Sequence, residues 1–413
     1  MPSVPPFVDV IVSGAGPAGS TCALYLARAG RRVLLLDQAR FPRDKICADN
    51  KSWICTDLVK DLGLWAAFQK LPKQEIRAML FSTPGGHVLR VPLDDVKVRS
   101  HGPHYNVRRT VFDDVLFQAA KRHENIQVRE GFRVQRVLKE KDRVIGLQGT
   151  DSDGKTKRFF ADVVVGADGS QSPVAHGVGL SPVVRHRHAT NARAYFEGVS
   201  HDPHTVELHY LPGVNPGYFW IFPVDNGVCN VGVGLPTVYA EKHRVNPAKM
   251  LSDLTHLPQF ASRFKDAKRA SDVGVWGIAV GSAKKRPVSG AGFVLCGDAA
   301  NTAVTFAGEG VGPAMRSGKI AAHALDTALE ENDVSAKSLR RYDDALWRVM
   351  GPENKAMASL EFLIKNPALF DFAVKRGAKN PRLAKLASKI ASDYRHAAQL
   401  WEPGTILALL TGT

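Results

Sequence analysis

Val8-Asp9-Val10-Ile11-Val12-Ser13-Gly14-Ala15-Gly16-Pro17-Ala18-Gly19 is the stretch whose reading decides the fold. Val8 to Val12 is apolar enough for a buried strand and runs straight into Gly14-x-Gly16-x-x-Gly19. In such a loop the first glycine permits a tight turn and the second lets a pyrophosphate approach the backbone. The third lets the next helix pack against the strand. Ala18 to Ala29 is rich in alanine and leucine and stops before Gly30, which predicts a helix. A second apolar strand, Val33 to Leu36, ends in Asp37, eighteen residues past Gly19, with Gln38 next. A carboxylate there accepts hydrogen bonds from an adenosine ribose. Strand, glycine turn, helix, strand and acid in this order predict a dinucleotide site. The alternative is a glycine turn that only packs tightly.

Two later strands share the character of the first. Ala161 to Val165 leads into Gly166-Ala167-Asp168-Gly169-Ser170, and Phe293 to Cys296 leads into Gly297-Asp298-Ala299-Ala300. Residues 180–275 between them read as a mostly antiparallel sheet, and residues 76–104 as a strand-rich segment with a Pro84-Gly85-Gly86 hairpin signal. A helix is expected over Asp114 to His123, and a turn at Asp151-Ser152-Asp153-Gly154. The class expected is α/β: a Rossmann-like nucleotide-binding domain, discontinuous over 1–75, 105–179 and 276–330. Into it is inserted a mostly antiparallel β-sheet substrate domain over 76–104 and 180–275. A helical C-terminal region over 331–413 follows.

The bulk numbers narrow the function. At 413 residues, 44% hydrophobic and 23% charged, the chain has the composition of an ordinary globular protein large enough for two domains. No apolar run reaches the roughly 18–20 residues that cross a bilayer, and Met1 to Phe7 has no signal-peptide character, so a cytoplasmic protein is expected. Cys22, Cys47, Cys55, Cys229 and Cys296 are scattered and odd in number, which suits a reducing compartment and predicts no metal site. The net charge of +15 comes with no nucleic-acid-binding motif. Eight basic residues lie between Lys365 and Arg395, opposed by Asp371 and Asp393 alone, with Leu383, Leu386 and Ile390 on one side of a predicted helix. This is a solvated helix face or a surface that rests on anionic lipid headgroups.

Four passages carry a family resemblance. They are Phe41-Pro42-Arg43-Asp44-Lys45-Ile46-Cys47, then Arg109-x-x-Phe112-Asp113, then Pro216-Gly217-Tyr218-Phe219-Trp220-Ile221-Phe222-Pro223. The last is Gly297-Asp298-Ala299-Ala300 followed by Gly308-Glu309-Gly310-Val311 and Ala314-Met315-Arg316-Ser317-Gly318. Over residues 8 to about 320 the chain resembles the geranylgeranyl reductase family, within the flavoproteins of the para-hydroxybenzoate hydroxylase fold. The Tyr-x-Trp-x-Phe-Pro passage discriminates best. The resemblance implies FAD as cofactor. It implies that Gly14, Gly16, Ala18, Gly19, Asp37, Gln38, Arg43, Lys45, Arg109, Asp168, Gly297, Asp298, Gly308, Glu309, Gly310 and Val311 bind it. Asp298 would hold the ribityl chain, and the amides of the Gly308 loop would face the flavin's pyrimidine end. Arg109 would neutralise cofactor charge, or else form a surface salt bridge.

The same resemblance implies hydrogenation of prenyl double bonds, with Cys47, Tyr218 and Trp220 as catalytic candidates. Cys47 would be a proton donor or a packing residue in an apolar tunnel; His87, His101 and His104 are further acid candidates. Tyr218, Trp220 and Phe222 alternate along a predicted strand and would share one face, opposite Phe219 and Ile221. That face fits a lipid-chain channel and also fits plain core packing. The reductant would be NADPH or ferredoxin. The substrate would be an isoprenoid lipid, met at an anionic membrane surface. Ala48-Asp49-Asn50-Lys51 follows Cys47 where the family usually has glycine, and these side chains would narrow or polarise the flavin face. Two rivals remain: a hydroxylase or halogenase on the same fold, and a non-catalytic prenyl-chain binder.

Overall fold

A computed structural model describes residues 8–93, 102–181, 188–281, 285–304 and 308–411. Strand β1 (Val8–Ser13), helix α1 (Pro17–Arg28) and strand β2 (Val33–Asp37) form the predicted opening unit. β1 and β2 run parallel, with Val10 opposite Val33. Both are buried almost throughout, which is why they read as continuous apolar runs rather than alternating ones. Gly14 has φ 96°, and a Cβ there would sit 2.4 Å from the Ala167 carbonyl oxygen. A Cβ on Gly19 would lie 1.8 Å from the Gly14 oxygen, so no larger residue fits either position.

After helix α2 (Trp53–Asp61) come β3 (Ala78–Ser82) and β4 (Val88–Pro92), paired antiparallel around the Pro84-Gly85-Gly86 turn as predicted. Helix α3 spans Arg109–Lys121, five residues earlier at its start than the expected Asp114. Starting there puts Arg109 and Asp113 one turn apart, where they form a buried ion pair. β5 (Ile126–Glu130) pairs in parallel with β2, and β6 (Thr156–Gly166) with β1.

A second sheet is built from β7 (His188–Glu197), β8 (Thr205–His209), β9 (Tyr218–Asp225), β10 (Val228–Pro236) and β11 (Gly274–Ala279) together with β3 and β4. Its order is β7-β10-β9-β8-β3-β4, with β11 along the free side of β7. All these pairs are antiparallel except β8 with β3. The period-two reading of β9 holds. Phe219 and Ile221 enter a core with the helices beyond this sheet, while Trp220 and Phe222 enter another on its opposite side.

The chain then returns to the first sheet through β12 (Phe293–Leu295), giving the parallel order β12-β6-β1-β2-β5. Helix α4 (Val311–Glu330) packs on α1 so closely that a Cβ on Gly318 would be 2.3 Å from the Ala18 oxygen. Helices α5 (Ala336–Lys365), α6 (Pro367–Gly377), α7 (Pro381–Ser392) and α8 (Pro403–Thr411) follow, with a 3₁₀ segment at Tyr394–Trp401. Asn380 caps α7 by accepting from the Arg382 and Leu383 amides. Among the described residues no helix is long and apolar enough to cross a membrane, and no His, Cys, Asp and Glu cluster is arranged to hold a metal ion.

Candidate active site

The carboxyl ends of β1, β2 and β6 open onto a cavity of about 820 Å³. Gly14, Gly16, Ala18, Asp37, Gln38, Arg43, Lys45, Arg109, Asp168, Gly297, Asp298, Gly308, Gly310 and Val311 line it. Gly19 lies beneath, against Gly14, and shapes the loop rather than the wall. Asp37 accepts from the amides of Ala15 (2.7 Å) and Ala39 (2.8 Å), tying β2 to the glycine loop. Asp168 accepts from the Ser13 hydroxyl at 3.0 Å, and burial pushes its carboxyl up to about 6. Lys45 pairs with Asp298 at 3.3 Å.

The electrostatics of this cavity suit an anionic dinucleotide. Arg109 is buried and donates twice to Asp113 (2.7 and 2.6 Å), and Arg43 donates to the same carboxylate at 2.9 Å. Two guanidiniums on one carboxylate leave a net positive charge beside the cavity. Arg109 is therefore part of a buried cluster and not of a surface salt bridge. The first turn of α1 carries no acidic residue and no side-chain cap, so its amides remain available to an anion. A Cβ at Gly16 would meet nothing closer than the Arg43 guanidinium at 3.4 Å, so this glycine leaves an open cradle. The long cavity, the cationic end and the strand-end carboxylate fit FAD.

The bend after Cys47 differs from expectation. Asp49 has φ 67°, the left-handed conformation that glycine adopts freely, which accounts for glycine in the resembling sequences. Its side chain is fully buried and does not line the cavity. It accepts from Tyr195 Oη (2.6 Å), Asn230 Nδ2 (2.8 Å) and the Arg109 amide (3.2 Å). Asn230 also donates to the Cys47 carbonyl (2.7 Å) and accepts from Trp220 Nε1 (2.9 Å). The Asp49 carboxylate thus does not polarise the cavity face; Ala48 is the side chain that lines it. Asp49, Asn230 and Tyr195 form a network that sequence reasoning missed. Its one sequence signal was an asparagine inside the apolar run Val228-Cys229-Asn230-Val231.

A second cavity, of about 410 Å³, adjoins the first. Its walls are apolar side chains of β3 and β4, Leu208 and Phe222 of the second sheet, and the helices from α5 to α8. The two cavities share Cys47, Ala48, Tyr218, Gly308, Gly310 and Val311. Tyr218 closes on the glycine loop so tightly that a Cβ on Gly308 would be 2.5 Å from its hydroxyl. Burial pushes the Tyr218 phenol up to about 12, so it stays protonated. Trp220 lines only the larger cavity, seated on Gly232. Glu309 faces the apolar cavity, where it accepts from Ser52 and from Tyr394, and burial raises its carboxyl. His104 lines the apolar cavity and His87 lines neither, while His101 lies outside the described residues.

An FAD-binding-domain family model matches residues 7–346. A digeranylgeranylglycerophospholipid reductase of Methanopyrus kandleri is 31% identical over 344 residues, covering 81% of this chain and 85% of its own. The chain belongs to the geranylgeranyl reductase family of FAD-dependent oxidoreductases. A menaquinone reductase of Mycobacterium tuberculosis is 33% identical to this family member, over 79% of this chain and 78% of its own. Among solved structures, a geranylgeranyl bacteriochlorophyll reductase-like protein of Thermoplasma acidophilum superposes with a TM-score of 0.82 at 21% identity. That match covers 95% of this chain and 98% of the other. A flavin-dependent brominase reaches 0.72 at 21% identity, covering 97% and 100%. At that identity both structures speak for the fold this reductase-family chain adopts.

Proposed function

We propose that the protein hydrogenates carbon–carbon double bonds of an isoprenoid chain, and that the chain lies in the apolar cavity with the reacting bond at the neck between the two cavities. One observation carries this reading: the cofactor cavity and a lipid-sized apolar cavity meet at Cys47, Tyr218 and the Gly308 loop. The names of the reductase relatives support it. In this reading Arg43, Arg109 and the first-turn amides of α1 hold the FAD phosphates, Asp37 and Gln38 the adenosine, Lys45 and Asp168 the middle of the cofactor. Gly297, Asp298 and Gly308 to Val311 hold its flavin end. FAD, when bound and reduced by NADPH or ferredoxin, supplies the hydride.

The chain's own residues do the rest. An unactivated alkene offers no polar handle, so the apolar walls must hold it in place and exclude water. Tyr218 forms the aromatic side of the neck, with the Trp220 ring 6.0 Å from it on the cofactor side. A proton must complete the second C–H bond, and Cys47 is the candidate that faces both cavities. The Tyr218 phenol, kept protonated by its burial, is the other candidate there. An isoprenoid of this kind is a membrane lipid, so contact with an anionic bilayer belongs to the same proposal.

The test is mass spectrometry of prenyl lipids incubated with the FAD-loaded protein after its flavin has been reduced. The expected product has gained one H₂ per reduced double bond. Unchanged prenyl lipids together with oxygen insertion into another substrate would replace this reading with a hydroxylase.

A further inference from the structure

Helix α8 (Pro403–Thr411) contains no charged residue, and its sequence Ile406-Leu407-Ala408-Leu409-Leu410 is apolar on every side. One side is accounted for. Thr405 and Ala408 are buried, and Ile406, Leu409 and Leu410 line the apolar cavity. The other side is bare, with Leu407 60% exposed, and at the cavity edge Leu410 is itself 63% exposed. Around it lie Phe362, Leu369, Phe372 and Trp401, all exposed, with Phe362 and Trp401 in ring contact at 5.9 Å. Seven of the thirteen large apolar side chains most exposed on the described surface fall between residues 362 and 410. A helix apolar all round belongs in an apolar medium on both sides.

Charge says which medium. Residues 362–411 carry eight Lys and Arg against three acids. Two of those acids are engaged: Asp371 accepts from the Gly85 amide, and Asp393 from Arg395. Arg382 lies against the start of α8 at Gly404, and Arg376 donates to the Leu410 carbonyl at its other end. Lys375 and Lys385 are exposed on the flanking helices, and Lys379 on the turn between them. A second copy docked on this face by a two-fold axis would bring two such cationic rims together. An anionic bilayer meets both requirements, taking the leucines into its acyl boundary and the cations at its headgroups.

We propose that α8 with its cationic flanks lies in the surface of an anionic lipid bilayer, and that the isoprenoid chain enters the apolar cavity there, between α8 and α6, without crossing water. Leu369 and Phe372 on α6 and Trp401, Ile406 and Leu410 at α8 both line the cavity and reach the surface, which makes this edge its mouth. The door rests on the isoprenoid reading; the docking surface does not.

The experiment is flotation of the FAD-loaded protein with vesicles of phosphatidylglycerol and phosphatidylcholine, beside vesicles of phosphatidylcholine alone. It compares the parent with Leu407→Glu and with Lys375→Glu/Lys379→Glu/Lys385→Glu; none of these residues lines either cavity. The parent binds the anionic vesicles, and added salt weakens the binding. Leu407→Glu binds at least about tenfold more weakly and the triple lysine variant at least about a hundredfold, both with unchanged FAD content. Reduction of a prenyl lipid dispersed in detergent is unchanged, while reduction of the same lipid inside vesicles falls. Equal partitioning of parent and variants overturns the proposal. So does a parent dimer that Leu407→Glu turns into a monomer without loss of vesicle binding. Failure of the parent to reduce any prenyl lipid while still binding anionic vesicles sinks the functional reading and leaves the docking surface standing. Phe362→Glu, also outside the cavity lining, provides the same readout should Leu407→Glu not fold.

Discussion

Replacing Asn230 tests whether the Asp49 network holds the neck in shape. Asn230 has no exposed surface, and its amide serves three partners. In Asn230→Ala the Trp220 N–H loses its acceptor and the Cys47 carbonyl its donor. Asp49 keeps Tyr195 and the Arg109 amide, so it remains satisfied. Each buried group left unpaired costs about 1–3 kcal/mol, so two cost ~2–6 kcal/mol out of a total stability of ~5–15 kcal/mol. Urea unfolding of the flavin-loaded protein measures this. Asn230→Asp sharpens the test, because the new carboxylate can still accept from Trp220 but faces Asp49. Two carboxylates at hydrogen-bonding distance share a proton, which raises the apparent pKa of the pair. A folded-state pKa raised above the unfolded one favours the folded state at low pH and loses that benefit as pH rises through it. The Asp variant's deficit should therefore shrink as pH falls from about 8 to about 5. An Ala variant within about 1 kcal/mol of the parent, or an Asp deficit independent of pH, would refute the reasoning.

Three further outcomes are expected. Gly16→Ala should leave unfolding of the flavin-free protein unchanged within about 0.5 kcal/mol, since its Cβ meets only the end of the flexible Arg43 side chain at 3.4 Å, yet weaken FAD about tenfold in a titration; Gly14→Ala, against the Ala167 backbone, should fail to fold stably. Burial opposes ionisation of Glu207, but His209 and Arg263 outweigh it and hold the carboxyl at about 2 against an ordinary 4.5. Its contribution is complete above the unfolded value and is lost as pH falls toward about 2, so Glu207→Gln should flatten that part of an acid-unfolding curve. Leu360→Trp, which fills the apolar cavity, should raise KM for a long prenyl substrate about tenfold while leaving the flavin spectrum and a short-chain substrate unaffected.

The first sheet was readable because it is local. Gly14, Gly16, Gly19 and Asp37 lie within one strand-helix-strand unit, and each is constrained by backbone geometry that only a few residue types satisfy. The face shared by Tyr218, Trp220 and Phe222 was readable from a period of two. The start of α3 was not, since no capping side chain marks Arg108 and the helix is fixed instead by Arg109 finding Asp113. The Asp49 bend misled because a polar residue beside a cofactor loop suggests a polar wall, whereas its partners Tyr195 and Asn230 lie 146 and 181 residues away. The apolar cavity was legible only at Cys47, Tyr218 and Phe222, which line it as a lipid-chain channel would require, and the rest of its wall was hidden for the same reason. Met79, Leu208 and Leu386 carry no pattern that announces a shared wall, and only tertiary packing brings them together. The basic stretch after Lys365 could be read as a charge excess, but not as the rim of an opening.

The narrow junction at Cys47, Tyr218 and Gly308 has a kinetic consequence. If every double bond reacts at that one spot, a substrate with several of them must be threaded lengthwise, each bond stopping there in turn. How many bonds are saturated before release is then a contest between sliding one isoprene unit further and backing out the way the chain came in. Whatever grips the far end of the lipid sets the stopping point, as a reel sets the length of line paid out.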